Sequence, residues 1–404
     1  MASATAHSVS PLIAPLSVAN GLTLEHRITL CALTRLRNDP VTECPRAVNA
    51  EYYAQRASKG GLLVAEAAYV RRDGRGYLRA PGLETDEQAA TWRPVTDAVH
   101  AKGGVMFAQL FHAGRESHPA LTGGDMVCAS AVRARGQVYV GTSKGMKEDY
   151  GMPRELSTAE VEAMPAVFAA AAKRAVELGG FDGVEMHAGN GYLLQAFLAR
   201  ATNTRTDKYG GTIANRARLL LETIDAVAAA IGPSRTAVKI QPGVTFSDLI
   251  EPEADVAETL DYLAPELSRR RLAYVCNSSL NGANYWRVVG LPGPNVSFDP
   301  WARFRQAGFT GTHMINGGLS IEEGERYVAE GVADLVSYGV PFIANANLRD
   351  LVAAGARTAD LNPGGWNAAV WYSLDPSNDA KGYTDWPLQD PAEVSGKAVA
   401  LASA

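Results

Sequence analysis

A single (β/α)8 barrel, a TIM barrel enlarged by an N-terminal hairpin and by extended loops at its C-terminal face, is the fold class this sequence predicts. Three observations predict it. Eight short apolar runs recur along the 404 residues, Ala/Leu-rich stretches with helix punctuation fall between several of them, and no Pro/Gly/Ser-rich linker or charge block divides the chain. Continuous apolar runs mark strands buried on both faces, the condition of a parallel sheet covered by helices. Eight such units fit a closed barrel. A doubly wound sheet is the rival, and it would normally carry a glycine-rich turn after its first strand. The segment ITLCALTRLRNDP carries none.

Taken in order, NGLTLEHR (20–27) reads as a small hairpin entering the barrel, because Asn-Gly favours a tight primed turn. The strand candidates are ITLCAL (28–33), LLVAEAA (62–68), VMFAQLF (105–111), DGVEMH (182–187), AVKIQP (237–242), LAYVCN (272–277), GTHMIN (311–316) and ADLVSY (333–338). After the third comes RGQVYVGTSKG (135–145), a second hairpin. AEVEAMPAVFAAAAKRAVELGG (159–180) is a helix stopped by a glycine pair, and TIANRARLLLETIDAVAAAIGP (212–233) is a helix opened by a Thr cap and closed by Gly-Pro. The stretch 278–300, rich in aromatic residues, is a long loop on the face where barrels build binding surfaces. Residues 1–10 are expected to be a flexible N-terminus, 11–387 the barrel and 388–404 a C-terminal tail.

Bulk composition narrows the chemistry. The formal net charge is -5 and 47% of residues are hydrophobic, which favours a soluble globular enzyme over a nucleic-acid or anionic-membrane binder. MASATAHSVS has no basic start followed by an apolar core, so a cytoplasmic location is expected. Cys31, Cys44, Cys128 and Cys276 are widely separated, arguing against zinc, an iron-sulfur cluster or a disulfide framework.

Reactive groups of such barrels sit at the C-terminal ends of the strands. Those ends carry Thr34, Gln109, His187, Asn190, Lys239 and Asn316, a polar set poor in carboxylates. A metal hydrolase would want several His and Asp/Glu ligands, and a glycosidase two carboxylates; neither set is present, and no metal site is expected. GNGYLL has two glycines of a dinucleotide fingerprint and lacks the third. Gly317, Gly318 and Gly339 follow the last two strands, where backbone N–H groups commonly hold a phosphate; either turn alone reads better as an ordinary glycine turn, and the two together after adjacent strands favour a phosphate site. By period-two parity Glu185 shares the inward face of His187, and a structural ion pair with Lys239 is expected.

Residues 62–85, AQLFHAGR (108–115), GFDGVEMHAGNGYLLQAFL (180–198), TRTDKYGG (204–211) and GYTDWP (382–387) together resemble the old yellow enzyme family, FMN-dependent ene reductases that include the 12-oxophytodienoate reductases. The resemblance runs from about residue 11 to 387. It implies tightly but non-covalently bound FMN, reduced by NADPH or NADH, and transfer of a hydride from flavin N5 to the β-carbon of an α,β-unsaturated carbonyl compound. It assigns His187 and Asn190 to the substrate carbonyl oxygen and Tyr192 to protonation of the α-carbon. It places Ala32, Leu33, Thr34, Ala67, Gln109 and Lys239 against the flavin ring, Gly317, Gly318 and Gly339 at the phosphate, and Tyr77, Phe111 and Tyr383 in the substrate pocket. Arg205, Asp207, Asn215 and Arg216 are expected to organise the loop after the fourth strand. A monomer or homodimer, with no nucleic acid or membrane partner, is implied.

Four positions depart from the family pattern. Ala32 stands where proline is usual, Lys239 where arginine is usual, and Phe111 where tryptophan is frequent. Val340 occupies the place of an arginine that grips the phosphate, so weaker FMN binding is expected. A specialised reductase or isomerase of secondary metabolism on the same scaffold is the second reading, and a non-catalytic barrel the third.

Overall fold

The computed structural model describes residues 9–18, 21–141, 146–243, 246–279 and 296–394. Eight parallel strands close a barrel: β1 (Ile28–Leu30), β2 (Leu62–Val64), β3 (Val105–Phe111), β4 (Gly183–Ala188), β5 (Thr236–Ile240), β6 (Tyr274–Ser278), β7 (His313–Asn316) and β8 (Leu335–Tyr338). Each pairs with its successor, and β8 pairs back to β1 through Val336 opposite Ile28. A two-residue extension, Ala68–Tyr69, lies on the end of β3 against Leu110 and Phe111.

Side-chain parity divides the apolar residues into two layers. Phe107, Ala237, Tyr274, Cys276, Met314 and Leu335 fill the barrel interior together with Val18 and Leu24 of the N-terminal hairpin. That hairpin is real: Leu16–Ser17 pairs antiparallel with Thr23–Leu24. The alternate residues, such as Met106, Ala108, Val184, Met186, Val238 and Val336, join the outer core beneath the helices. Each fully buried Val, Leu or Phe contributes about 1.5 to 3 kcal/mol relative to exposure.

The two helices legible in the sequence form with the signals expected. Thr158–Glu177 begins at Ser157, whose hydroxyl accepts the N–H of Glu160 while the Glu160 carboxylate returns to the Ser157 N–H, and the chain leaves it through Gly180 at φ +76°. Ile213–Ile231 begins at Thr212, which accepts the N–H of Asn215, and ends at Gly232 before Pro233. Further helices, Ala47–Arg56, Arg93–His100, Glu253–Arg269 and Ile321–Ala329 among them, complete the outer ring. The second hairpin pairs Gln137–Tyr139 with Lys147–Asp149. Most of the expected long loop at 278–300 lies outside the described residues, as do 1–8 and 395–404. No helix among the described residues is long and apolar enough to cross a membrane.

The expected ion pair between Glu185 and Lys239 does not form. Glu185 stands in register with Ala237, while Lys239 stands in register with His187, one layer nearer the mouth. Glu185 instead takes the amide of its neighbour on the other side, with Gln109 Nε2 donating to Oε1 at 2.6 Å, and also meets the Tyr274 hydroxyl. Burial holds its pKa above the ordinary carboxylate range, against the pull of Lys239.

Candidate active site

At the end of β4 the chain turns sharply through HAGNGY, and two glutamines fix the turn. The Asn190 N–H donates to Gln241 Oε1 at 2.8 Å and the Gly191 N–H to Gln195 Oε1 at 2.8 Å, while Gln195 Nε2 donates to the Gln241 carbonyl at 2.7 Å. Asn190 itself sits at φ +55°, a left-handed conformation that asparagine tolerates better than most residues. Leu193 N–H donates to the His112 carbonyl at 2.9 Å, tying the turn to the end of β3. His112 donates or accepts only within this frame, toward Asp73 and Gly114, as a structural residue.

The tautomer of His187 follows from one hydrogen bond. Gly189 N–H donates to Nδ1 at 3.1 Å, so the ring proton of the neutral imidazole lies on Nε2. Burial, with Lys239 adding repulsion, keeps its pKa well below the ordinary histidine value. The result is a fixed neutral donor.

The Tyr192 ring stands 4.8 Å from the His187 ring at 78°, and 5.2 Å from Phe111. Its hydroxyl is 2.6 Å from that of Tyr77. Burial first, and Tyr77 next, push its pKa well above the phenol value, so it carries its proton at neutral pH. Ala67, Phe111 and Tyr192 form one small apolar cluster with Tyr77 packed against it.

Beside this cluster opens a cavity of about 680 Å³ including its solvent-open mouth. Ala32, Leu33, Asn190, Lys239, Gly317, Gly318, Gly339 and Val340 all line it. Its glycines are needed for shape: a Cβ at Gly339 would come within 2.8 Å of Cys31 Sγ, and Gly317 adopts φ +145°, a conformation L side chains rarely reach. Lys239 Nζ donates to Asn316 Oδ1 at 3.2 Å.

Eight expected residues lie outside the cavity lining, among them His187, Tyr192, Tyr77 and Phe111 of the cluster beside it. Thr34 is half-buried and outside the cavity lining, Ala67 belongs to the Tyr192 cluster, and Gln109 is buried below with its amide on Glu185. Tyr383 departs furthest. Its ring is fully buried, stacks on Tyr52 at 3.9 Å and lies under the Arg35 and Arg37 guanidiniums, so it packs beside helix Ala47–Arg56 and does not line the cavity. The loop after β4 is organised as expected: Arg205 holds Asp207 and the Leu156 carbonyl, and Arg216 holds the carbonyls of Leu198 and Gly211.

Cys31, Gln241, Ser278, Ser337 and Trp366 line the cavity without having been singled out in the sequence. Gln241 had a signal, since it lies two residues beyond Lys239 and therefore on the same face; Trp366 lies in irregular chain and had none. Ser337 Oγ is buried without a hydrogen-bond partner in the cavity wall. An orphaned hydroxyl, one cation, several amides and three glycines in one cavity lining fit a heteroaromatic ring bearing a phosphate, the chemistry of FMN. Among the described residues no cluster of His, Cys, Asp and Glu could hold a metal ion.

Comparison with known proteins agrees with this construction. The model of the NADH:flavin oxidoreductase / NADH oxidase family matches residues 11–358. 12-Oxophytodienoate reductase 1 of Oryza sativa subsp. japonica is 36% identical over 402 residues, covering 98% of this chain and 98% of its own. The old yellow enzyme homologue from Zymomonas mobilis superposes with a TM-score of 0.83 at 32% identity, covering 94% of this chain and 99% of its own. Morphinone reductase superposes with a TM-score of 0.83 at 35% identity, covering 96% and 98%. The barrel and these matches together make the chain a member of the NADH:flavin oxidoreductase / NADH oxidase family, the old yellow enzymes.

Proposed function

We propose that this protein is an FMN-dependent ene reductase that reduces the C=C bond of α,β-unsaturated carbonyl compounds, with NADPH or NADH as reductant. One observation carries the reading: a neutral His187 with its proton on Nε2, Asn190 and a protonated Tyr192 converge at one strand end beside the cavity. FMN, when bound, supplies two-electron transfer between the nicotinamide and the alkene. Ala32, Leu33 and Lys239 would hold its ring and Gly317, Gly318, Gly339 and Val340 its phosphate.

The chain's own groups perform the rest. As the alkene accepts electrons at its β-carbon, negative charge gathers on the carbonyl oxygen. His187 Nε2–H and the Asn190 amide donate to that oxygen, and donors already fixed in place stabilise the transition state more than the ground state. Tyr192 then gives its proton to the α-carbon. Tyr77 and Phe111 enclose the substrate. The Lys239 ammonium would favour negative charge on a flavin ring held there.

Support also comes from a solved morphinone reductase in complex with tetrahydroNAD, a nicotinamide analogue. The purified protein is expected to be yellow. Tyr192→Phe should slow reoxidation of the reduced flavin by cyclohexenone by about a hundred- to ten-thousand-fold while its anaerobic reduction by NADPH or NADH stays near normal. Equal loss in both half-reactions would remove Tyr192 as the proton donor. Comparing the two nicotinamides in the same anaerobic experiment decides the reductant.

A further inference from the structure

Glu116, in the loop that follows β3, is a carboxyl buried where the reaction above has no use for one. It is 4% exposed, with Oε2 accepting the Ser247 hydroxyl at 2.6 Å and a further hydrogen bond to Tyr150. Oε1 is buried and has no partner. The nearest cation is committed elsewhere, since Arg115 gives its guanidinium to Asp248 at 2.5 Å and to the carbonyls of Arg133 and Ser247.

The position of the free oxygen is informative. A Cβ at Gly191 would lie 2.7 Å from Glu116 Oε1, so the carboxyl sits directly against the turn whose next residue is Tyr192. Tyr192 in turn shares a 2.6 Å hydrogen bond with Tyr77. Each phenolate in this corner is opposed by its neighbours: that of Tyr150 by Tyr77 and Glu116, and that of Tyr192 by Tyr77, Tyr150 and Glu116. Three phenols and one carboxyl thus lie close enough to act on one another's charge, and Tyr77 and Tyr150 are the partly exposed members.

We propose that Glu116 is the proton reservoir that recharges Tyr192 after each turnover, by way of the Tyr150 and Tyr77 hydroxyls. This rests on Tyr192 being the proton donor. When the α-carbon takes the Tyr192 proton, a phenolate is left in a site hostile to it. The Tyr77 O–H then breaks and its proton passes to Tyr192; Tyr150 supplies Tyr77, and the Glu116 carboxylic acid supplies Tyr150. The carboxylate left behind regains its proton from solvent. No electron moves and no other reactant is needed.

Protonation equilibria agree with that direction. Burial raises Glu116 to about 7, against the pull of Ser247, Arg115 and Tyr150 and with the help of Asp248. The acid is therefore still loaded near neutrality, and transfer to a phenolate of ordinary affinity, pKa roughly 10, is favourable by about a thousand-fold.

Glu116→Gln keeps the shape and removes the proton. In steady-state turnover with saturating nicotinamide and enone, where Tyr192 must be reprotonated in every cycle, the wild-type rate should fall about tenfold per pH unit above about 7, as expected when a protonated acid is required. A single anaerobic reoxidation, which spends the proton Tyr192 already carries, should show no such inflection. Glu116→Gln should abolish that inflection and leave a slow, flat profile, and Glu116→Asp should restore an inflection. Infrared titration, which does not depend on turnover, should show a buried carboxylic acid at pH 6 that is lost by pH 8 and is missing from Glu116→Gln. In the Tyr192→Phe background Glu116→Gln should cost nothing further. An unchanged inflection in Glu116→Gln, no carboxylic acid band, or the same cost with and without the Tyr192 hydroxyl would overturn the reservoir while leaving Tyr192 as donor. A Tyr192→Phe variant that reoxidises at the wild-type rate would instead overturn the donor role and the reservoir together.

Discussion

Val340→Arg tests how this cavity would hold a phosphate. Val340 is 6% exposed in the cavity wall, between Gly339 and Pro341. Lys239 is the one basic side chain among the described lining residues. It reaches Asn316 and lies in register with His187 on the barrel side of the site. A phosphate monoester carries about -1.5 to -2 charges at neutral pH, and among the described residues the glycine-lined part of the wall, Gly317, Gly318, Gly339 and Val340, offers it no charged partner. One hydrogen bond to a charged group is worth roughly 1.5 to 3 kcal/mol, or about ten- to a hundred-fold in affinity. Apoprotein titrated by quenching of flavin fluorescence should therefore bind FMN about ten- to a hundred-fold more tightly in Val340→Arg than in the wild type. Riboflavin, which lacks the phosphate, is the control and should bind both chains alike. The gain for FMN should also shrink as salt rises, because a new ion pair is screened. Equal tightening of FMN and riboflavin, or no tightening of FMN, would refute the placement of the phosphate beside residue 340.

Lys239→Met removes the cavity's cation and should make the potential of bound flavin more negative, measured by equilibration with a reference dye; an unchanged potential would remove the lysine from the ring's vicinity. The same variant relieves the repulsion that helps keep His187 neutral, so its imidazole should titrate at higher pH, a shift visible by NMR. Acid stability carries a further signature: burial lowers His26 to about 4 and His313 to about 3, so both are neutral when folded and take up protons on unfolding below about 6.5. Their contribution is intact above pH 6.5 and falls as pH drops toward the folded values, by about 2 kcal/mol each between pH 6.5 and 5. Raised carboxyls such as Glu116 slope the opposite way, so the test is a difference. Urea denaturation of His313→Gln should lose about 2 kcal/mol less than the wild type between pH 7 and 5, and identical losses would count against a neutral buried His313.

How much of this was legible in the sequence depended on whether a residue's environment is set by its own segment. VMFAQLF became β3 with its predicted bounds because its neighbours on both sides demand an apolar strand. LLVAEAA did not run on as one strand: Ala65 still donates to Phe107, but the Glu66 N–H turns aside to the Tyr53 hydroxyl, a residue on another element, and pairing resumes only at Ala68. The same distinction separates site residues. HAGNGY is local, a strand end and its turn, and His187, Asn190 and Tyr192 came together as read. Parity correctly aimed Glu185 inward, yet its partner was decided by register between strands, which a single sequence does not contain, and so Gln109 displaced Lys239. Tyr383 comes from a stretch without periodicity, and its place under Arg35 and Arg37 depends on chain more than three hundred residues away. Glu116 is the limiting case. In the sequence it is one acidic residue in a loop, a position normally solvated; only burial by Ser247, Tyr150 and the Gly191 turn makes it a weak acid able to hold a proton near pH 7. Groups whose chemistry is created by tertiary burial are invisible to motif reading, which is why HAGNGY stands out in the sequence and Glu116 does not.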